Sequence, residues 1–202
     1  MDARGVQGRQ RVSCAGLCRI RDAQGRYLLG LNVNRLAQGR RIFMPLGGAL
    51  RYDNPDLLAY FDAVPEDATT RDLRLFINPV RLDDFRAWFR LRERREITSF
   101  RELQEELVDE FRALTSLSPE DTDITFVGTY EGEGLSERQG VNGVWTYYLH
   151  DLFEVSFAAD VLALLSAVPP ETGLRWFTDA DLLRGAAEDG TPINARALLD
   201  SS

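Results

Sequence analysis

The most informative stretch of this chain is Arg101-Glu102-Leu103-Gln104-Glu105-Glu106-Leu107. Its three glutamates are three and four residues apart, so on a helix they project from one face while the two leucines turn toward a core. Like charges at that spacing destabilise an isolated helix, and a bound cation removes that cost. Oxygen ligands without histidine or cysteine select a hard ion such as Mg²⁺ or Mn²⁺. The alternative interpretation is an ordinary acidic surface exposed to water.

The surrounding pattern predicts an α+β fold in which a long amphipathic helix interrupts a series of strands. Apolar residues recur every three or four positions over residues 99–114, which predicts a helix with Ser99 or Thr98 as its cap. Strands are expected at residues 11–22, 26–32, 40–44, 72–78, 124–130 and 174–177, and a long one at 144–157 with a break near Asp151. Further helices are predicted from residue 82 and over 160–167 and 179–185.

The glutamate stretch fits the REUxEE core of the Nudix box, and seven residues separate Glu93 from Arg101, as that box requires. Upstream, Pro45-Leu46-Gly47-Gly48-Ala49-Leu50 resembles the turn that precedes the box, and Leu174-Arg175-Trp176-Phe177-Thr178-Asp179 resembles a strand-to-helix step near the end of many members. The chain therefore resembles the Nudix hydrolase superfamily over nearly its whole length. The resemblance implies one Nudix-like α/β/α sandwich with a mixed sheet over residues 1–202.

Two features depart from the usual box. Forty-four residues separate Gly48 from Glu93, where about five are usual, so we predict that residues 51–92 form a large insertion. Val108-Asp109 replaces the glycine and apolar residue that normally end the box, and without a capping glycine we expect the helix to continue. The insertion resembles that of the Nudix domain associated with second-messenger oligonucleotide or dinucleotide synthetases in bacterial defence loci, which implies a role in antiviral nucleotide signalling.

Hydrolysis of a diphosphate linkage in a nucleotide-type substrate is the activity that the resemblance implies, with Mg²⁺ or Mn²⁺ as the cofactor. Glu105 and Glu106 would be the principal metal ligands, Glu102 a ligand or the base, and the Gly47 or Gly48 carbonyl a further ligand. Arg101 would orient the glutamates by salt bridges, and Glu93 would be an outer ligand. A nucleotide sensor that does not cleave its ligand and an interaction module remain as alternatives.

Residues outside the helix supply further candidates. The segment 131–143 contains four glycines and is predicted to be a flexible loop that brings a carboxylate to the substrate. We also expect Arg41 to contact the substrate and an aromatic side chain to stack on its base. The loop carboxylates are Glu131, Glu133 and Glu137, and the aromatic candidates are Tyr130 and Trp145.

Composition restricts the partners and the compartment. The formal net charge of −8 argues against general nucleic-acid binding, although residues 1–50 hold nine arginines against two aspartates. Two cysteines, Cys14 and Cys18, are too few for a disulfide framework and are expected in a core. The single histidine, His150, lies in an apolar strand and is expected to be structural rather than catalytic. No apolar run is long enough for a membrane helix or a signal peptide, so we expect a soluble cytoplasmic protein. The aromatic face of Phe85, Trp88 and Phe89 needs burial, which favours a homodimer.

Overall fold

Short helices alternate with extended strands in the computed structural model, which describes residues 6–199. The strands are β1 (Gln10–Ile20), β2 (Tyr27–Leu31), β3 (Phe43–Ala49), β4 (Val64–Pro65), β5 (Arg74–Ile77), β6 (Thr122–Leu135), β7 (Trp145–Phe157) and β8 (Leu174–Phe177). The helices are α1 (Val33–Leu36), α2 (Asp56–Tyr60), α3 (Leu82–Leu91), α4 (Phe100–Gln104), α5 (Ala159–Ser166) and α6 (Asp179–Arg184). A π-helical segment, Glu105–Glu110, follows α4 directly.

The chain divides into two compact units. Unit 1 contains residues 6–16, Gly48–Ile97 and Thr129–Asp151, and unit 2 contains Leu17–Gly47, Thr98–Gly128 and residues 152–199. All of the segment 51–92, the predicted insertion, therefore falls in unit 1. The ranges of β1, β3, β6 and β7 each include residues of both units.

Unit 2 is organised around β2, which is buried along its whole length. This strand pairs antiparallel with β3 on one side and with β8 on the other. Because side chains alternate along a strand, Leu28 packs in one core with Leu103 and Leu107, whereas Leu29 packs in another core with Leu182 of α6. Helices thus cover both faces of an antiparallel sheet, which confirms the predicted α+β character.

Unit 1 pairs β5 antiparallel with both β1 and β4. Its core includes the aromatic face of α3, in which Phe85 and Phe89 are fully buried and Trp88 is partly buried. Phe61 contacts Phe85 with a ring separation of 5.1 Å. Unit 1 itself buries most of this face, so the face no longer requires a second subunit for its burial.

The predicted helix over residues 99–114 is wrong in its form and its end. Regular α-helix covers only α4, and the π-helical segment ends at Glu110. Arg112 then adopts a left-handed backbone with φ of 51°, the conformation that a capping glycine usually supplies. Ser99 precedes the helix, but its side chain makes no capping hydrogen bond.

Three strand predictions also need correction. The predicted turn at Pro45–Gly48 lies within β3, because Gly47 at φ 121° lets an extended strand accommodate a local distortion. The predicted loop starting at residue 131 is strand as far as Leu135, so Glu131 and Glu133 lie on β6. The expected break near Asp151 is absent because ion pairs neutralise this buried carboxylate within a continuous β7.

Candidate functional site

The glutamate segment changes from α-helix to π-helix within the predicted motif. Leu103 and Leu107, four residues apart, are both fully buried, and Phe111 after the π turn is 8% exposed. The wider turn places the Phe111 N–H 2.8 Å from the Glu106 carbonyl oxygen. A π turn of this kind is frequent at functional sites, since it rotates the side chains that follow it relative to a regular helix.

Glu106 is hydrogen-bonded to Gly47, the last residue of β3 that belongs to unit 2. The Gly47 N–H donates a hydrogen bond of 2.6 Å to its carboxylate. Burial raises the pKa of Glu106 well above its ordinary value, the hydrogen bond from Gly47 opposes this shift, and repulsion from Glu110, Glu102 and Glu105 adds to it. A partly buried carboxylate with other carboxylates nearby is a group whose charged form a cation would stabilise.

Arg101 connects two of the other glutamates. Its guanidinium donates to the Glu102 carboxylate and also lies 3.2 Å from Glu105. Glu102 is shielded, with 16% of its side chain exposed, whereas Glu105 remains 49% exposed. The expected salt bridges are therefore present, and they fix Glu102 more firmly than Glu105.

Glu110 is a member of the cluster that the sequence analysis missed. Burial and the charge of Glu102 raise its pKa. The signal was available, because Glu102, Glu106 and Glu110 follow one another at intervals of four residues. The motif itself ends before Glu110, so the resemblance alone does not indicate this residue.

The carboxylates of the glutamate segment are chemically suited to bind a hard divalent cation. The segment offers carboxylate oxygens that repel one another, with one arginine among them, and these are the ligands that Mg²⁺ and Mn²⁺ prefer. Within residues 6–199, however, no three acidic, histidine or cysteine side chains converge closely enough to hold a metal ion as they stand. Ligation would therefore require rotation of the glutamate side chains.

The remaining predicted site residues are distributed over both units. In unit 2, Arg41 is exposed two residues before β3 begins, while in unit 1 Gly48 belongs to β3 and an exposed Glu93 lines a cleft. Tyr130 on β6 is 40% exposed and Trp145 at the start of β7 is 51% exposed. The indole N–H of Trp145 donates to Glu133 at 3.4 Å.

Glu131 has several strong partners in unit 1. Arg86 donates to it at 2.9 Å, Arg90 forms a second ion pair, and the Tyr147 hydroxyl donates at 2.7 Å. These contacts lower its pKa against the opposing effect of burial. Glu137 lies in the turn after β6 and is exposed.

The cysteines are core residues, and the histidine is partly buried. Cys14 and Cys18 are fully buried free thiols, and burial raises the pKa of both. Burial also lowers the pKa of His150 to about 4, so the imidazole is neutral at physiological pH. Its ring lies near those of Tyr130 and Tyr148, at 6.2 and 5.6 Å between centroids.

An antiparallel α+β unit with a glutamate-rich helical segment beside a glycine strand is consistent with the Nudix-like fold that the sequence resemblance implies. The family model described as the SMODS-associated NUDIX domain matches residues 9–197. The chain therefore belongs to the SMODS-associated NUDIX domain family. Comparison with curated proteins gives no match. Within the described residues, none of the helices has the length and apolar character needed to span a bilayer.

Proposed function

We propose that this protein is a metal-dependent hydrolase that cleaves a diphosphate linkage in a nucleoside diphosphate-linked substrate. The observation that carries the proposal is the environment of Glu106. Its carboxylate accepts a hydrogen bond from the Gly47 N–H, and burial and three neighbouring glutamates raise its pKa. A purely structural helix gains nothing from such repulsion. In a site that binds a cation together with a diphosphate, the clustered carboxylates serve as ligands of the cation, which removes their mutual repulsion.

The chain's own residues would act as follows. Glu105 and Glu106 would hold the metal, with Glu102 as a further ligand or as the base that takes a proton from the attacking water. Arg101 keeps Glu102 and Glu105 oriented through its ion pairs. Mg²⁺ or Mn²⁺, when bound, would neutralise phosphate charge and lower the pKa of a coordinated water.

A sensor that binds a nucleotide without cleaving it is the second candidate. One observation favours it, namely that no three candidate ligands converge on a metal position among residues 6–199 as they are placed. Both candidates are consistent with a role in bacterial nucleotide signalling against phage, which we propose from the family to which the chain belongs. An interaction module without a nucleotide ligand has no comparable support.

The compartment and remaining partners are proposed on chemical grounds. Two buried free thiols are compatible with a reducing cytoplasm. The net charge of −8 disfavours general binding to nucleic acid.

Turnover of a nucleotide panel with and without Mg²⁺ tests the proposal. We expect metal-dependent release of a phosphate-containing product, and a loss of orders of magnitude in Glu105→Gln and Glu106→Gln. Glu171→Gln, at an exposed glutamate of unit 2, is the matched control and should keep parental turnover. Equal turnover in Glu105→Gln would remove the metal-site interpretation. Nucleotide binding without turnover in the parent would establish the sensor instead.

A further inference from the structure

Unit 1 contains a cleft that is lined by Glu93 but by none of Arg101, Glu102, Glu105 and Glu106. The cleft has a volume of about 620 Å³ and lies between α2, α3 and residues 93–94. Its apolar lining includes Leu57, Tyr60, Trp88 and Leu91, of which Tyr60 is 59% and Leu91 66% exposed. We call it the insertion cleft. Its size is in the range of ligand sites, and large apolar side chains are left facing solvent around it.

The charge of the insertion cleft indicates what it can bind. Three carboxylates line it, those of Asp56, Asp84 and Glu93, against the single cation Arg94. Asp84 also pairs with Arg81 at 2.9 Å, but this pair is exposed on both sides and is worth little energy. A second nucleotide would bring phosphates against these carboxylates. The cleft therefore suits an occupant with an apolar body and positive charge.

A segment of unit 2 has that composition. Residues 32–41, the α1 arm, connect β2 to β3 and read NVNRLAQGRR. Helix α1 has no buried residue, and its Val33 and Leu36 are 38% and 43% exposed. Arg35, Arg40 and Arg41 flank these apolar side chains in the sequence.

The α1 arm is already folded for docking. The Asn32 side chain accepts a hydrogen bond from the Arg35 N–H and caps the helix, and the Asn32 N–H donates to the Ile42 carbonyl oxygen at 3.0 Å, closing the base of the arm. A preformed segment loses little conformational entropy on binding.

From this complementarity we infer that the insertion cleft of one copy binds the α1 arm of a second copy, producing a homodimer. Leu36 and Val33 would cover the apolar lining while the arginines of the arm approach the carboxylates of the cleft. In the proposed dimer the exchange is reciprocal, so the contact is made twice about a two-fold axis. Of the aromatic face of α3, Trp88 lines the cleft, whereas Phe85 and Phe89 are fully buried in unit 1 and take no part in this contact.

Sedimentation velocity over a wide concentration range tests the inference on the full chain. Ala87→Arg places a long cation in the cleft at an exposed helical alanine, and Leu36→Asp places a carboxylate on the arm. Each should weaken dimerisation by at least about thirtyfold, the factor expected for a central interface residue. The matched controls are Ala163→Arg on α5 and Leu183→Asp on α6, both at exposed positions, and they should leave the dimer unchanged.

Cross-linking locates the contact independently. Ala87→Cys in one tagged copy and Leu36→Cys in a differently tagged copy should form a mixed disulfide under mild oxidation, whereas Ala163→Cys should not react with Leu36→Cys. The two native cysteines are buried and do not compete. A parent chain that is monomeric at every concentration would overturn the inference, as would a dimer that persists in Ala87→Arg or cross-links equally through position 163. None of these readouts depends on hydrolysis.

Discussion

Gly30 in the middle of β2 offers a direct test of how the core supports the glutamate segment. A Cβ atom at this position would lie 2.6 Å from Cζ and 2.9 Å from Cε2 of Phe111, and 3.1 Å from Leu46. Ordinary contact begins near 3.4 Å, so in Gly30→Ala the Phe111 ring must move by roughly 0.8 Å. Because Phe111 is 8% exposed and packed in the core, the ring has little space to move into.

We expect Gly30→Ala to lower the free energy of unfolding by about 1–3 kcal/mol, the usual cost of an overpacked core. For a protein of this size that corresponds to a fall in Tm of about 2–4 °C for each kcal/mol. The Phe111 N–H is bonded to the Glu106 carbonyl, so displacement of Phe111 should also disturb the Glu106 carboxylate and reduce turnover.

Chemical denaturation followed by circular dichroism measures the effect. The control is Gly134→Ala on β6, where an added Cβ meets nothing within 4 Å, and its stability should stay within about 0.5 kcal/mol of the parent. In a Phe111→Leu background the cost of Gly30→Ala should shrink, because the clashing ring atoms are gone. Parental stability in Gly30→Ala, or an undiminished cost in the Phe111→Leu background, would refute the reasoning.

Three further predictions follow from the electrostatics. Folding raises the pKa of Glu106, so above the ordinary carboxyl pKa the folded state binds more protons than the unfolded state. The free energy of unfolding should therefore fall as pH rises from the ordinary carboxyl pKa through the raised value. Thermal melts across pH should not show this fall in Glu106→Gln, which keeps an acceptor for the Gly47 N–H. Asp151→Asn should cost about 3–5 kcal/mol in chemical denaturation, because Arg95, fully buried and 2.9 Å from Asp151, is left without its countercharge. The β6 region contributes three carboxylates, Glu131, Glu133 and Glu137. Each is replaced by glutamine, and turnover is measured at saturating substrate and metal. If all three variants stay within a few-fold of the parent, none of the three is the base or a metal ligand, and Glu102 becomes the preferred base.

Local patterns were sufficient to locate many of the elements. The segment over 174–177 is a strand as predicted, and the helix after it runs from Asp179 to Arg184 with Gly185 as its cap. Such boundaries are encoded in neighbouring residues, here in a capping box between Thr178 and Asp181. The spacing of Arg101 to Glu106 likewise identified the family, because three carboxylates and an arginine in that order form a specific motif.

The tertiary structure decided how those residues are used. The π turn that rotates the second half of the glutamate segment and the bond from Gly47 to Glu106, fifty-nine residues away, result from core packing that no local pattern encodes. Glu131 shows the same limit, since the sequence predicted a mobile loop carboxylate, whereas in the fold it lies on β6 and is bound by Arg86 and Tyr147. Helical and strand periodicities report short-range preferences, whereas the pKa and the availability of a carboxylate depend on neighbours that only the folded chain brings close.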